Sequence, residues 1–262
     1  MLTFERYGDI RLPAVSFFHG FMGSCADWDG VIDSLLDQHH CIAFDLPGHG
    51  ESQVARGAEA PDMAGTAKAV MEAWDSMGVA RSSLVGYSMG GRLALYMALK
   101  HKDRIVRTAL ESASPGLPTE EERAARRKRD DALAAALEDS PVEAFVRWWY
   151  EQPLFATIKS DPVRFERLVR ARMQNNPRGL AASLRALGLG AQPSLWEQLG
   201  TNRVPLLFLA GELDDKYKSV AREMQARTPL SKAQIVSGCG HNIHFENPAE
   251  YSRRLIAFLE QE

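Results

Sequence analysis

The residues best suited to chemistry are Gly86-Tyr87-Ser88-Met89-Gly90. A short apolar run precedes them and a helical pattern follows. That is the setting in which a G-x-S-x-G turn exposes a serine hydroxyl at its tip. Glycines at 86 and 90 let neighbouring backbone come close, and the N-terminus of the following helix favours developing negative charge. A serine of this kind needs a base. Around such turns the acid and then the histidine follow the serine in the chain. Of seven histidines, His241 in Gly238-Cys239-Gly240-His241 lies just past a strand pattern and is preferred, because a loop histidine after glycine is better exposed for proton transfer, and His244 is its rival. Gly211-Glu212-Leu213-Asp214-Asp215 supplies the acid. Asp214 is the preferred carboxylate, Glu212 and Asp215 are near alternatives, and Glu111 is a distant one. The acid would hold the imidazole tautomer and stabilise its protonated form. An oxyanion hole needs two backbone donors. The candidates are the amides of Met89 and of Phe21 in His19-Gly20-Phe21-Met22-Gly23, with His19 itself expected to be structural.

These residues need a scaffold, and the apolar pattern describes one. Short runs at 15–18, 41–44, 83–85, 107–110, 204–209 and 233–236 read as buried strands. Helical patterns at 64–77, 90–99 and 251–259 alternate with them, which predicts βαβ units and a mostly parallel sheet. Between 115 and 199 the pattern is helical only. Candidates there are 120–137, with Thr119 as cap and Glu120, Glu121 and Glu122 in its first turn, then 142–150 beside Pro141, 164–173, and 179–187. A helical block between strands predicts a cap over one end of the sheet. The expected division is a core of 1–114 and 200–262 and an inserted cap of 115–199.

Composition narrows the functional classes. With 262 residues, 45% of them hydrophobic, the chain can bury a substantial single core. A net charge of −3 gives no electrostatic footprint for nucleic acid. Cys25, Cys41 and Cys239 are far apart and form no C-x-x-C pair, so neither a disulfide framework nor a zinc site is expected. Glu5, Arg6, Asp9 and Arg11 interrupt any apolar leader. No stretch approaches the ~18 apolar residues of a membrane span. A cytoplasmic protein without an integral membrane segment is expected, with its oligomeric state open.

Several segments resemble the α/β-hydrolase fold: His19-Gly20-Phe21, Asp45-Leu46-Pro47-Gly48-His49-Gly50, the turn at Ser88, Gly211-Glu212-Leu213-Asp214 and Gly240-His241. That resemblance implies a mostly parallel central sheet flanked by helices, with the inserted helices as cap. Esterases, carbon–carbon hydrolases and lyases share it, so function must come from the site. Dehalogenases and epoxide hydrolases resemble the fold but carry Asp where Ser88 stands. Arginine placement is more informative. Arg92 lies one helical turn after Ser88, on the same face. Arg123, Arg126 and Arg129 recur at three-residue steps, and Arg170-Ala171-Arg172 precedes Asn175-Asn176. Guanidinium groups bind carboxylates in a directional, bidentate way, which predicts a small-molecule polycarboxylate substrate. The bland alternative is a solvated helix face paired with Glu120, Glu121, Glu122 and Asp130.

Core and cap together resemble the 2-succinyl-6-hydroxy-2,4-cyclohexadiene-1-carboxylate synthases of menaquinone biosynthesis. The segments are Gly86-Tyr87-Ser88-Met89-Gly90-Gly91-Arg92, Pro115-Gly116-Leu117, Trp149-Tyr150-Glu151-Gln152-Pro153-Leu154-Phe155, Arg172 before Asn175-Asn176, Gly240-His241-Asn242, and Glu246-Asn247-Pro248. The chain departs from the pattern at Pro177 and in the extra basic residues Arg127 and Arg129. The resemblance implies a lyase that eliminates pyruvate from 2-succinyl-5-enolpyruvyl-6-hydroxy-3-cyclohexene-1-carboxylate, without metal or organic cofactor. It further implies that Ser88, activated by His241, acts as base and that the enolate oxygen sits between the Phe21 and Met89 amides. Arg92, Arg126 and Arg172 would clamp carboxylates, while Tyr87, Trp149 and Phe155 shape the pocket. A serine esterase or carbon–carbon bond hydrolase acting on an anionic substrate would use the same triad without depending on Arg92. A non-catalytic receptor would have no need of Ser88, Asp214 and His241 together.

Overall fold

The computed structural model describes residues 2–55 and 57–261. Seven strands form one sheet: β1 Phe4–Tyr7, β2 Ala14–Phe18, β3 His40–Phe44, β4 Ser82–Tyr87, β5 Ile105–Glu111, β6 Leu206–Gly211 and β7 Ser231–Val236. Their order is β1-β3-β2-β4-β5-β6-β7, and every pairing is parallel except β1 with β3. The six apolar runs are β2 to β7. Hydrophobic pattern missed β1, because in its four residues half-buried Phe4 and Tyr7 flank exposed Glu5 and Arg6 and no apolar run forms. Pairing to β3 holds that edge strand.

The central strands are buried on both faces, so adjacent residues enter different cores. Phe18, Leu84 and Phe208 pack on one side, against α2 Met63–Ser76 and α3 Met89–Lys100. Phe17, Val85 and Leu207 pack on the other, where Trp28, Tyr251 and Leu255 cover them. Each such fully buried side chain contributes roughly 1.5–3 kcal/mol. The helix α1 Asp29–Ile32 lies on this second side. Strand order reverses between β2 and β4, the switch point at which open α/β sheets bind ligands beyond the strand ends. The loop carrying Phe21 follows β2, and Ser88 follows β4.

Four helices stand between β5 and β6: α4 Glu120–Asp139, α5 Val142–Tyr150, α6 Pro162–Arg172 and α7 Pro177–Leu187. Thr119 and Glu122 form the reciprocal cap expected at the start of α4. Pro177 proves to be the first residue of α7, with Asn176 capping it. A proline is well suited there because a first-turn N–H has no helical partner. These helices have a core of their own, with Val146, Tyr150, Val169 and Leu184, into which Met22 of the sheet side inserts. At the seam, α7 meets the loop after β3: a Cβ on Gly179 would lie 2.7 Å from the Gly48 carbonyl oxygen. Asn175 donates to the Met22 carbonyl at 2.8 Å and accepts from the Gly50 amide at 3.1 Å.

The chain closes with α8 Asp215–Arg227, α9 Ile243–Glu246 and α10 Pro248–Leu259. Periodicity did not reveal α8, since only Ala221 and Met224 of its thirteen residues are buried. Among the described residues, no helix is long and apolar enough to cross a membrane.

Candidate active site

The site grows from the turn between β4 and α3. Ser88 adopts φ 49° and ψ −105°, a left-handed region that L-residues rarely occupy. Its amide is held by the Glu111 carbonyl at 2.8 Å. Close packing explains the glycines: a Cβ on Gly86 would meet the Gly90 carbonyl at 2.5 Å, and one on Gly91 the Ala113 methyl at 2.7 Å. A Cβ on Gly90 would collide with the Phe18 carbonyl oxygen.

His241 comes from the loop between β7 and α9. Its Nδ1 lies 2.7 Å from Asp214 Oδ2, and its Nε2 lies 3.4 Å from Ser88 Oγ. Asp214 caps α8, and its other oxygen accepts from the Tyr217 amide at 3.1 Å. The alternatives are engaged elsewhere. Asp215 is exposed and pairs with Lys218 at 2.8 Å, and Glu212 accepts from the Gly238 amide at 2.9 Å. Glu111 and His244 form a second pair at 2.7 Å, away from the serine hydroxyl. The His244 ring is stacked on Trp28 with centroids 4.3 Å apart. His19 is buried, and its Nε2 accepts from the Leu46 amide at 3.0 Å, which is a structural placement. In the loop after β3, Asp45 accepts from the Cys25 and Glu51 amides at 2.7 and 2.8 Å, so that motif shapes backbone rather than chemistry.

The Phe21 and Met89 amides make no hydrogen bond to another group among the described residues. Phe21, Met89, Ser88 and His241 together border a cavity of about 300 Å³. Arg92 and Arg126 border it too, as do Trp149 and Phe155. Phe21 and Trp149 pack with centroids 5.1 Å apart, so aromatic rings from the loop after β2 and from α5 meet at the cavity. Arg92 is 9% exposed and donates to Gln192 Oε1 at 2.9 Å and to the Leu187 carbonyl at 2.8 Å. Burial pushes its guanidinium down to about 10, which still leaves it charged at neutral pH. Arg126 pairs with Asp130 at 2.7 Å, and Asp130 also accepts from the Gly190 amide at 3.1 Å. Arg123 and Arg127 follow the bland alternative, both pairing with Glu120, and the Arg126–Asp130 pair meets it in part while Arg126 still borders the cavity.

Two expected pocket residues lie elsewhere. The Arg172 guanidinium is buried in a bidentate pair with Asp27 at 2.6 and 2.8 Å and also reaches the Tyr150 hydroxyl at 3.2 Å. Burial disfavours its charge, but Asp27 and Tyr150 outweigh that and hold it more firmly protonated than a free arginine. It ties α6 to the segment after β2 and does not border the cavity. Sequence spacing could not reveal this, because Asp27 is 145 residues away. Tyr87 is also outside the cavity. Strand alternation sends it below the turn, against Gly20 and between His241 and His244 at centroid distances of 5.5 and 5.0 Å. Sequence reading missed Lys216 and Tyr217, which border the cavity from the first turn of α8. Their closeness to Asp214 was the available signal. Among the described residues, no cluster of three His, Cys, Asp or Glu side chains is placed to hold a metal ion.

The arrangement can move a proton between a hydroxyl and an imidazole, hold a negative oxygen on backbone amides, and bind anions. The α/β-hydrolase fold family matches residues 13–248. A 2-succinyl-6-hydroxy-2,4-cyclohexadiene-1-carboxylate synthase of Citrobacter koseri is 35% identical over 90% of this chain and 90% of its own. One from Escherichia coli O1:K1 is 34% identical over 97% of this chain and 96% of its own. A solved structure of MenH from S. aureus superposes with a TM-score of 0.93 at 33% identity, covering 99% of this chain and 98% of that one.

Proposed function

The chain belongs to the α/β-hydrolase fold family and, within it, to the 2-succinyl-6-hydroxy-2,4-cyclohexadiene-1-carboxylate synthases, and from that premise we propose that it is the pyruvate-eliminating lyase of menaquinone biosynthesis. The observation that carries this reading is the cavity wall. Arg92, Arg126, Arg129 and Lys216 border it with Ser88, and among the described residues no carboxylate lines it. A neutral ester would gain nothing from that charge, whereas a substrate with several carboxylates would.

In the proposed reaction, His241 takes the Ser88 proton as Ser88 Oγ removes the ring proton next to the succinyl ketone. Asp214 stabilises the resulting imidazolium. The electron pair moves onto the ketone oxygen, which the Phe21 and Met89 amides stabilise. One such donor contributes about 3–4 kcal/mol. Collapse of the enolate breaks the ring carbon–oxygen bond and releases enolpyruvate, which takes up a proton to become pyruvate. The 3.4 Å Ser88–His241 spacing supports this when shortened by substrate, as is usual for sites without ligand. Arg92 and Arg126 bind carboxylates, Trp149 and Phe155 enclose the ring, and residues 115–199 act as the cap.

The test is pyruvate release from the enolpyruvyl precursor generated in situ, coupled to lactate dehydrogenase. Wild type is expected to release pyruvate and to cleave p-nitrophenyl esters poorly. Ser88→Ala is expected to lose about 10²- to 10⁴-fold in kcat. Unchanged pyruvate release in Ser88→Ala would end the proton-abstraction mechanism. Brisk ester turnover without pyruvate would move the function to a hydrolase.

A further inference from the structure

A substrate with three carboxylates meets only two of the three expected arginines, because Asp27 holds Arg172 outside the cavity, whereas Arg126 borders it and uses only its Nε on Asp130. We propose that Lys216 supplies the third cation and binds a substrate carboxylate directly, an inference that rests on the lyase reading. Lys216 borders both the cavity beside Ser88 and an adjoining cleft of about 680 Å³, so it stands where the two meet. Its ammonium lies 5.4 Å from the centroid of the Tyr217 ring, and that ring is 4.7 Å from His241. One aromatic ring therefore neighbours both the ammonium and the imidazole.

The acids around Lys216 are taken. Asp214 is bound to His241 and the Tyr217 amide, and Asp215 pairs with Lys218. Among the described residues, no carboxylate forms an ion pair with Lys216. Its position also disfavours a cation, since Lys216 is the second residue of α8 and faces the positive end of the helix dipole. An unpaired ammonium at such a place gains most from an anionic ligand. Geometry separates it from Arg129, which borders the cavity one turn beyond Arg126 on the same cap helix. Carboxylates spread around a ring need cations on different walls. Arg92 stands on α3, Arg126 on α4 and Lys216 on α8.

Steady-state pyruvate release by the full chain tests this, with Lys216→Gln, Lys216→Arg and Lys218→Gln compared. Lys216→Gln is expected to raise KM about tenfold to a hundredfold, the loss of one charge-assisted hydrogen bond, with kcat little changed. Lys216→Arg should restore most of the affinity, and Lys218→Gln, with the same charge change, should match wild type. A KM for Lys216→Gln indistinguishable from that of Lys218→Gln overturns the inference and leaves the lyase reading intact. If wild type releases no pyruvate, the lyase reading fails instead. Calorimetric binding of tricarballylate then decides. Weaker binding to Lys216→Gln than to Lys218→Gln supports a carboxylate contact at Lys216, and equal binding overturns it.

Discussion

Two carboxylate–imidazole pairs lie on either side of Tyr87, and they differ most in what the imidazole's free edge meets. His241 and Asp214 are 2.7 Å apart, as are His244 and Glu111, and all four side chains are buried. The free nitrogen of His241 faces Ser88 Oγ and the cavity. The His244 ring is closed in by Trp28, Tyr87 and Tyr251. Glu111 also accepts from the Ile243 amide at 2.5 Å and the His244 amide at 3.2 Å, fastening the segment that follows His241. The comparison teaches that a polarised imidazole is not by itself a catalytic one. Access to a hydroxyl and a cavity separates the two, and enclosure by Trp28, Tyr87 and Tyr251 leaves the other as a clamp.

The sharpest way to break this comparison is to neutralise each acid in turn. Asp214→Asn should lower kcat by about 10⁴-fold by favouring the wrong tautomer, while thermal stability stays near wild type. If Glu111→Gln gave the same loss of rate with the same stability, the distinction between the pairs would fall. The next effect concerns the wall beside His244, where Asp27 and Arg172 are paired. Asp27→Asn should destabilise the protein by about 3–5 kcal/mol in denaturant unfolding, because it leaves a buried guanidinium uncompensated. Burial pushes the Asp27 carboxyl up, but Arg172 outweighs this and holds it below its ordinary 3.8. A depressed folded value means the stabilisation is complete above the unfolded pKa and is lost as pH falls through the folded one. The Tm difference between wild type and Asp27→Asn should therefore be constant above about pH 5 and narrow below about pH 4. The smallest effect is expected at Glu111→Gln itself. It should cost about 1–3 kcal/mol of stability through its weakened bonds to His244 and the α9 amides, with kcat reduced far less than in Asp214→Asn.

Much of the site is local and was legible for that reason. The turn at Ser88 is a five-residue pattern whose glycines answer to backbone clashes within the same turn and with the adjacent strand. Asp214 and His241 each follow a strand end, and strand ends gather at one edge of a parallel sheet. Arg92 follows from helix periodicity alone. Other assignments depended on distant partners. Arg172 looked free in its own helix and is captured by Asp27 from a loop near the start of the chain. Tyr87 has the aromatic character of a pocket residue, but alternation along β4 turns it beneath the floor. Lys216 sits on a helix with too thin an apolar stripe to be recognised.

By itself, then, the sequence determined the α/β alternation, the helical insertion, the serine turn and the order of its partners. Each of these is written in short-range pattern, where chain geometry links neighbours directly. Only the tertiary structure decided what encloses the second imidazole, which arginine is spent on an ion pair, and which cation is left facing the cavity. Those outcomes depend on what side chains meet across the fold, and a charge answers to its nearest partner in space rather than in sequence.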